Sequence, residues 1–300
     1  MTWLGAKAAE FSDEFTTLRQ CLRFLIRNPP VVLPLLGAWF ACVAIVFQGI
    51  PLIPWKRLDW TTALLAIWAL NAAVNFVTLF ACSMLLELLQ HQETGRPLRL
   101  GRAFRDTVFR NSWILLPLAA VWSLIEIALW TVEILLRRGS DNDSDSAVST
   151  LSEIVQKGLR MGLFLTLPAV AWEEAGPIAA IGRAYRLARR HIISFLGAMT
   201  LSGLFMAFAG LPLAIGWYAA PEWMREHHLL VIAASAVLWT LKIYLEQMMM
   251  AELYLYARCC EWDDFRQVQD PLSRGTSGPQ IIPSLFNGIP DLKERMSIQR

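Results

Sequence analysis

Ionisable side chains inside long apolar stretches are the residues of this sequence that could carry chemistry. Glu126 and Lys242 each lie near the middle of such a stretch. A charge at the centre of a membrane helix costs roughly 2.5 to 3.5 kcal/mol on insertion scales, so these two residues are candidates for a functional site. At matched depth in a bilayer, we expect Glu126 and Lys242 to form an ion pair.

Polar neighbours extend this pair into a predicted cluster. Asn71 and Asn75 lie one helical turn apart and face one direction, and Glu246 lies one turn after Lys242. The predicted midplane cluster comprises Asn71, Asn75, Glu126, Lys242 and Glu246. Two interpretations stay open. The cluster is either a substrate or proton site of a transporter, or a set of hydrogen bonds and a paired charge that hold the helices in register.

A repeated motif of an acid, a glycine and several arginines forms the second candidate site. Residues 93–105 read ETGRPLRLGRAFR and residues 174–186 read EAGPIAAIGRAYR, at a constant offset of 81. The motif predicts an elbow in which acids at the end of a span, including Glu173, bridge to arginines of the next helix. The glycine after each acid lets the chain turn. The candidate elbow and headgroup-contact residues are Glu93, Gly95, Arg102, Arg105, Glu174, Gly176, Arg183 and Arg186.

Sequence signatures of catalysis and of metal binding are missing from the chain. There is no H-E-x-x-H, G-x-S-x-G, phosphate loop or G-x-G-x-x-G pattern, and the five Cys have no C-x-x-C spacing. Asp141, Asp143 and Asp145 imitate the start of a calcium loop, but Ser146 and Ser152 replace the required Gly and Glu. We therefore predict no catalytic residue, no metal site and no cofactor.

The composition determines which elements must position these residues. The chain has 300 residues, of which 55% are hydrophobic and 17% charged, whereas soluble domains carry about 25% charged residues. A net charge of +2 does not favour nucleic acid as a partner. Apolar stretches that cross a bilayer need about 20 residues each. The predicted spans are 31–53, 61–88, 112–136, 154–172, 193–220 and 229–257.

The distribution of basic residues predicts the orientation. Nineteen Lys and Arg residues fall on the side of the two termini and seven on the opposite side. Because translocation of positive charge is disfavoured, both termini are predicted to be cytoplasmic. In the fourth span, Lys157 and Arg160 are expected to extend outward from the first turns. Residues 1–260 form the predicted membrane domain, and residues 261–300 form a cytoplasmic tail without a fold of its own.

Internal similarity predicts that the membrane domain is built from repeats. Three units, each an amphipathic interfacial helix followed by a transmembrane hairpin, cover about 8–88, 96–172 and 177–257. The fold class is therefore all-α, a polytopic bundle of six transmembrane helices. Coincidence among basic loops is the alternative, and it is most open for the first unit.

The segment 173–187, EEAGPIAAIGRAYRL, resembles the motif of an uncharacterised family of six-span bacterial integral membrane proteins. That family is similar to the membrane domain of glycerophosphoryl diester phosphodiesterases. The resemblance covers roughly residues 18–260, although Ala184 stands where the family often has Ser. Residues 258–300 are too few for a phosphodiesterase domain. The resemblance therefore implies membrane architecture and the bacterial inner membrane, without enzymatic activity.

Function follows from the basic helices and from the missing catalytic signatures. We expect a non-enzymatic membrane protein that engages lipids, in particular anionic headgroups, or a membrane protein partner, including a second copy of itself. Ordinary topology signalling is the alternative role of the arginines. A small transporter or channel that uses the polar residues of spans two, three and six is the alternative function.

The orientation is tested by cysteine labelling in intact cells. We expect a cysteine placed at Ser144, in the predicted outer loop, to react with a membrane-impermeant maleimide. A cysteine placed at Thr276 should react only after the cells are opened. The reverse pattern would show that the orientation is inverted.

Overall fold

The computed structural model describes residues 18–19, 21–55, 58–93, 98–139, 145–173, 175–190 and 192–269. The regular structure within these ranges is helical, without strands. Residues 21–27 are helical, and a 3-10 turn at Pro29–Val32 precedes the first long helix. The further helices are α1 Leu33–Leu52, α2 Trp60–Glu93, α3 Leu100–Asp106, α4 Ser112–Gly139, α5 Asp145–Glu173, α6 Pro177–Arg190, α7 Ile192–Ala219, α8 Pro221–Glu226 and α9 His228–Gln269.

Local sequence explains where several helices begin. The Asp59 carboxylate caps α2, because it accepts hydrogen bonds from the Thr62 hydroxyl at 2.5 Å and from the Thr62 amide at 3.4 Å. The hydrogen bond from the Thr62 hydroxyl holds the pKa of Asp59 below its usual range. Pro177 and Pro221 are the first residues of α6 and α8, where a missing backbone N–H leaves no hydrogen bond unmade.

Five helical stretches of the described chain are long and apolar enough to cross a membrane, which indicates a multi-pass membrane protein. These candidate spans are Pro29–Leu52, Trp60–His91, Leu100–Leu135, Phe195–Ala219 and His228–Leu255. Helix α5 covers the fourth predicted span, 154–172, but is not among the five. Lys157 and Arg160 within its first half lower its apolar character.

Two boundaries differ from those predicted by the sequence. The interfacial helix of the second unit was expected to be separate from span three, yet α3 continues through a π-helical turn, Thr107–Asn111, into α4. Residues 102–116 contain no Gly or Pro that would interrupt helical hydrogen bonding. Helix α9 continues to Gln269, beyond the domain boundary predicted at residue 260. Residues 270–300, most of the predicted tail, lie outside the described residues.

The core lies where the C-terminal halves of α2 and α5 meet the middle of α9. Nearly every side chain is buried in residues 79–89, 161–173 and 243–255, whereas most residues in the N-terminal half of α2 and in 228–242 of α9 are partly or fully exposed. Helix α5 packs against both α2 and α9. The Trp172 indole donates a hydrogen bond to the Leu86 carbonyl at 3.1 Å, and the Tyr244 hydroxyl donates to the Cys21 carbonyl at 3.0 Å. One end of the bundle is therefore a closed, hydrogen-bonded core.

Candidate functional site

Three groups of polar residues lie within the helical bundle, and the first connects α2 to α4. The Glu126 carboxylate accepts hydrogen bonds from the side-chain amides of Asn71 at 2.9 Å and Asn75 at 2.8 Å. The Trp122 indole donates to its other oxygen at 2.9 Å. The Asn75 amide also donates to the Ser123 hydroxyl at 2.9 Å.

The polar side chains of this group form hydrogen bonds with one another. Both oxygens of the Glu126 carboxylate accept N–H donors, and those donors come from the two helices that the group joins. Such bonds within a bilayer hold two helices in one register, because lipid offers the donors no alternative partner. The contacts of Asn71 and Asn75 therefore match the structural interpretation of the cluster.

The second group lies between α5 and α9. Arg160 and Glu246 form an ion pair with 2.8 Å between Nη2 and Oε2, and the Arg160 guanidinium lies 5.4 Å from the centre of the Phe164 ring. Lys242 lies within electrostatic range of Arg160, Lys157 and Glu246. Arg160 and Lys242 therefore both act on the charge of the Glu246 carboxylate.

The expected Glu126–Lys242 ion pair is not formed between these two described residues. Helix α4 packs mainly against α2 and α5, whereas α9 packs mainly against α7, α1 and α5, so the two side chains belong to different interfaces. Arg160 also departs from expectation, because it reaches Glu246 instead of extending outward. Matched depth was the only basis for the predicted pair, and depth does not specify which helices are neighbours.

The third group is the elbow between α5 and α6. Arg183 pairs with the Glu173 carboxylate, which also accepts a hydrogen bond from the Tyr254 hydroxyl at 2.5 Å. The rings of Trp172 and Tyr254 are in edge contact, with 6.3 Å between their centroids. These contacts tie the end of α5 to α9 and to the helix that follows it. Glu174, the other acid that the sequence predicts at this elbow, lies outside the described residues.

The glycine of this elbow does not require special backbone geometry. A Cβ atom at Gly176 would meet nothing within 4 Å, and its φ does not lie in the left-handed region. The expectation that a glycine is needed for the turn is therefore wrong at this position. In the other copy of the motif, Glu93 is the last residue of α2, and Gly95 lies outside the described residues.

The helices that carry the repeated arginines bury and expose equivalent positions. Ala103 of α3 and Ala184 of α6 are buried, while the aromatic residues that follow them, Phe104 and Tyr185, are exposed. The arginines at the next position of the motif are exposed as well. Arg102 is exposed, whereas Arg183 is partly covered because it pairs with Glu173.

Known proteins do not assign a role to these three groups. Comparisons of the chain with protein-family models, with curated proteins and with solved structures found no match. The arguments below therefore rest on the contacts of this chain.

The separation of the polar groups is tested by two double-mutant cycles in detergent. Arg160→Met and Glu246→Met should be strongly non-additive, with a coupling of about 1 to 3 kcal/mol, because either change leaves the other charge without its partner. Glu126→Gln and Lys242→Met should add to within about 0.5 kcal/mol. The measurement is the free energy of unfolding. Additivity in the first cycle, or coupling in the second, would contradict the arrangement described above.

Proposed function

We propose that this protein is a non-enzymatic, multi-pass membrane protein that engages anionic lipid headgroups through basic helices at one membrane surface. The observation that carries this proposal is the pair of opposite faces on α6. One face packs on the bundle through Ala180, Ala184 and Leu187, which are buried. The other presents apolar side chains next to exposed arginines.

The exposed face of α6 has the composition of a membrane interface. Ile178 and Tyr185 are 87% and 65% exposed, and with Ile181 they follow helical spacings of three and four residues. Arg186 and Arg189 lie beside this apolar stripe and are also exposed. In water the apolar stripe would stay exposed. At a membrane surface, the headgroup region covers apolar side chains and attracts the guanidinium groups.

Helix α3 supports the same proposal. Phe104 is exposed there between Arg102 and Arg105, and Phe109 and Trp113 continue the exposed aromatic surface toward α4. The agreement with α6 at equivalent positions favours repeated units of one interfacial helix and one hairpin. Under this proposal α5 is a sixth span, whose Arg160 is tolerated because Glu246 neutralises it.

The proposed location is the bacterial inner membrane with both termini in the cytoplasm. The excess of basic residues on the side of α3 and α6 supports this orientation. Anionic lipids give the surface of that leaflet a negative potential. The resemblance to six-span bacterial membrane proteins supports the same location and is itself part of the proposal.

Lipid binding is tested on the purified full chain by native mass spectrometry with phosphatidylglycerol, and with phosphatidylcholine as the neutral lipid. The double variant Arg186→Gln/Arg189→Gln should bind phosphatidylglycerol about 30-fold more weakly, since each arginine contributes about 1 kcal/mol near anionic headgroups. Arg225→Gln is the matched control, because it removes an exposed arginine from α8, at the far end of α7. Equal loss in both variants, or no preference for phosphatidylglycerol, would contradict the proposal.

The cationic group between α5 and α9 favours a second candidate function, the passage of small anions. Arg160 and Lys242 both act on the Glu246 carboxylate where the closed core of α9 begins, at Ile243. Excess positive charge in a low-dielectric region is stabilised by an anion, and ionisable residues at such a depth line ion pathways in many membrane proteins.

Anion passage is tested by flux into proteoliposomes that contain an anion-sensitive dye. Lys242→Met should reduce protein-dependent chloride or phosphate flux by at least about tenfold, because one cation of the pathway is lost. Glu126→Gln, which alters the separate α2–α4 group, should leave the flux unchanged. Absence of protein-dependent flux, or equal loss in both variants, would rule out this second function.

A further inference from the structure

We propose that Glu87, His91 and Asp106 form a binding site for a divalent transition-metal ion such as Zn²⁺. One ligand atom of each side chain lies within 4.8 Å of the ligand atoms of the other two. The three residues come from α2 and from the end of α3, and they belong to none of the three polar groups described above. The proposal is independent of lipid binding and of anion passage.

Secondary structure places these ligands on facing surfaces. Glu87 and His91 lie one turn apart on α2, so their side chains share one face of the helix. Asp106 is the last residue of α3, directly before the π-helical turn Thr107–Asn111. Single π-helical turns within α-helices occur frequently at functional sites, because the extra residue redirects neighbouring side chains.

A buried hydrogen bond holds the two surfaces together one helical turn away. The side-chain amide of Asn111, at the end of the π-helical turn, donates to the Ser83 hydroxyl at 2.9 Å. Ser83, Glu87 and His91 are 0%, 2% and 5% exposed, and they follow one another at steps of four residues along α2. The ligands therefore stand on a rigid, buried interface, which limits the entropy lost when an ion binds.

Electrostatics favours a cation between these groups. The ligand oxygen of Glu87, which is buried, and that of Asp106, which is partly exposed, lie within 4.8 Å of each other, so the two carboxylate charges repel. Arg105 approaches Asp106 only at 3.9 Å and its side chain is 66% exposed, so water screens much of its charge. A divalent ion bound to both carboxylates would remove the repulsion directly.

The donor set indicates the class of ion. One imidazole and two carboxylates are ligands that suit Zn²⁺ and similar first-row ions, whereas Ca²⁺ and Mg²⁺ prefer all-oxygen sites. Ligand atoms around tetrahedral Zn²⁺ lie about 3.3 Å apart, given bonds of about 2.0 to 2.1 Å. Binding would require the three ligand atoms, which lie within 4.8 Å of one another, to approach that spacing. Asp106 is 24% exposed, which leaves a route for an ion or a water molecule.

The sequence prediction of no metal site rested on contiguous signatures. Here two ligands are four residues apart on one helix, and the third is the last residue of the next helix along the chain. Such a set matches no standard motif, because the third ligand is brought in by packing. The tertiary contact is therefore the observation that assigns this site.

The test uses Co²⁺ as a spectroscopic probe on the full chain in detergent, after removal of metal with a chelator. We expect about one equivalent of Co²⁺ to bind, with visible d–d absorption that Zn²⁺ abolishes by displacement. His91→Ala and Asp106→Asn should each weaken binding by at least about tenfold. His227→Ala is the matched control, since it removes a partly exposed imidazole that stacks on the Trp223 ring, with 4.5 Å between the two ring centroids.

Several results would overturn the proposal. Wild-type protein that takes up no Co²⁺ beyond a control membrane protein would show that the three side chains do not form a metal site. Binding that persists in Asp106→Asn, or that is lost equally in His227→Ala, would place the ion elsewhere. Asp106→Asn preserves side-chain shape at a partly exposed position, so it keeps the test decisive even if His91→Ala fails to fold.

Discussion

Burial of the second half of α5 between α2 and α9 is the constraint on which the rest of the structure depends. This half contains Thr166, Trp172 and Glu173, whose polar atoms have access to neither water nor lipid headgroups. Each must therefore find a partner inside the protein. The Trp172 indole donates a hydrogen bond to the Leu86 carbonyl. The Glu173 carboxylate pairs with Arg183 and accepts a hydrogen bond from the Tyr254 hydroxyl. The polar residues in the buried half of α5 are thus the ones that fix its neighbours.

The position of α6 follows from this burial. Glu173 ends α5 inside the core, and its pairing with Arg183 draws the first turns of α6 across the end of the bundle. Once Ala180, Ala184 and Leu187 are packed, helical geometry leaves Ile178 and Tyr185 on the other side. The exposed apolar face of α6 is therefore a consequence of the Glu173–Arg183 ion pair and of a helical period of 3.6 residues.

Much of this architecture could be predicted from the sequence, and the parts that could not have a common physical origin. Apolar runs predicted the five helical stretches that are long and apolar enough to cross a membrane, and helical spacing placed Asn71 and Asn75 on one face, where both contact Glu126. Partner choice between distant helices could not be predicted. Depth in the bilayer is shared by every helix, so it could not show that Glu246 pairs with Arg160 and that Glu126 belongs to another interface. The unbroken passage from α3 to α4 was missed because basic residues predicted an interfacial segment, whereas backbone hydrogen bonding continues wherever Gly and Pro are lacking.

Polar contacts determine which helices are neighbours in this bundle, and apolar contacts cannot do so. Lipid tails are as apolar as leucine, so burial of apolar surface barely distinguishes one arrangement of membrane helices from another. The described polar groups each join a different pair of elements: Glu126 joins α4 to α2, Arg160 joins α5 to α9, and Glu173 joins α5 to α6 and α9. Moving α2, α4, α5, α6 or α9 away from its neighbour would leave at least one of these carboxylates without a donor, and that loss is severe for a buried charge. The specificity of the fold therefore resides in a few charged and amide side chains, and any function built on them has to preserve these contacts.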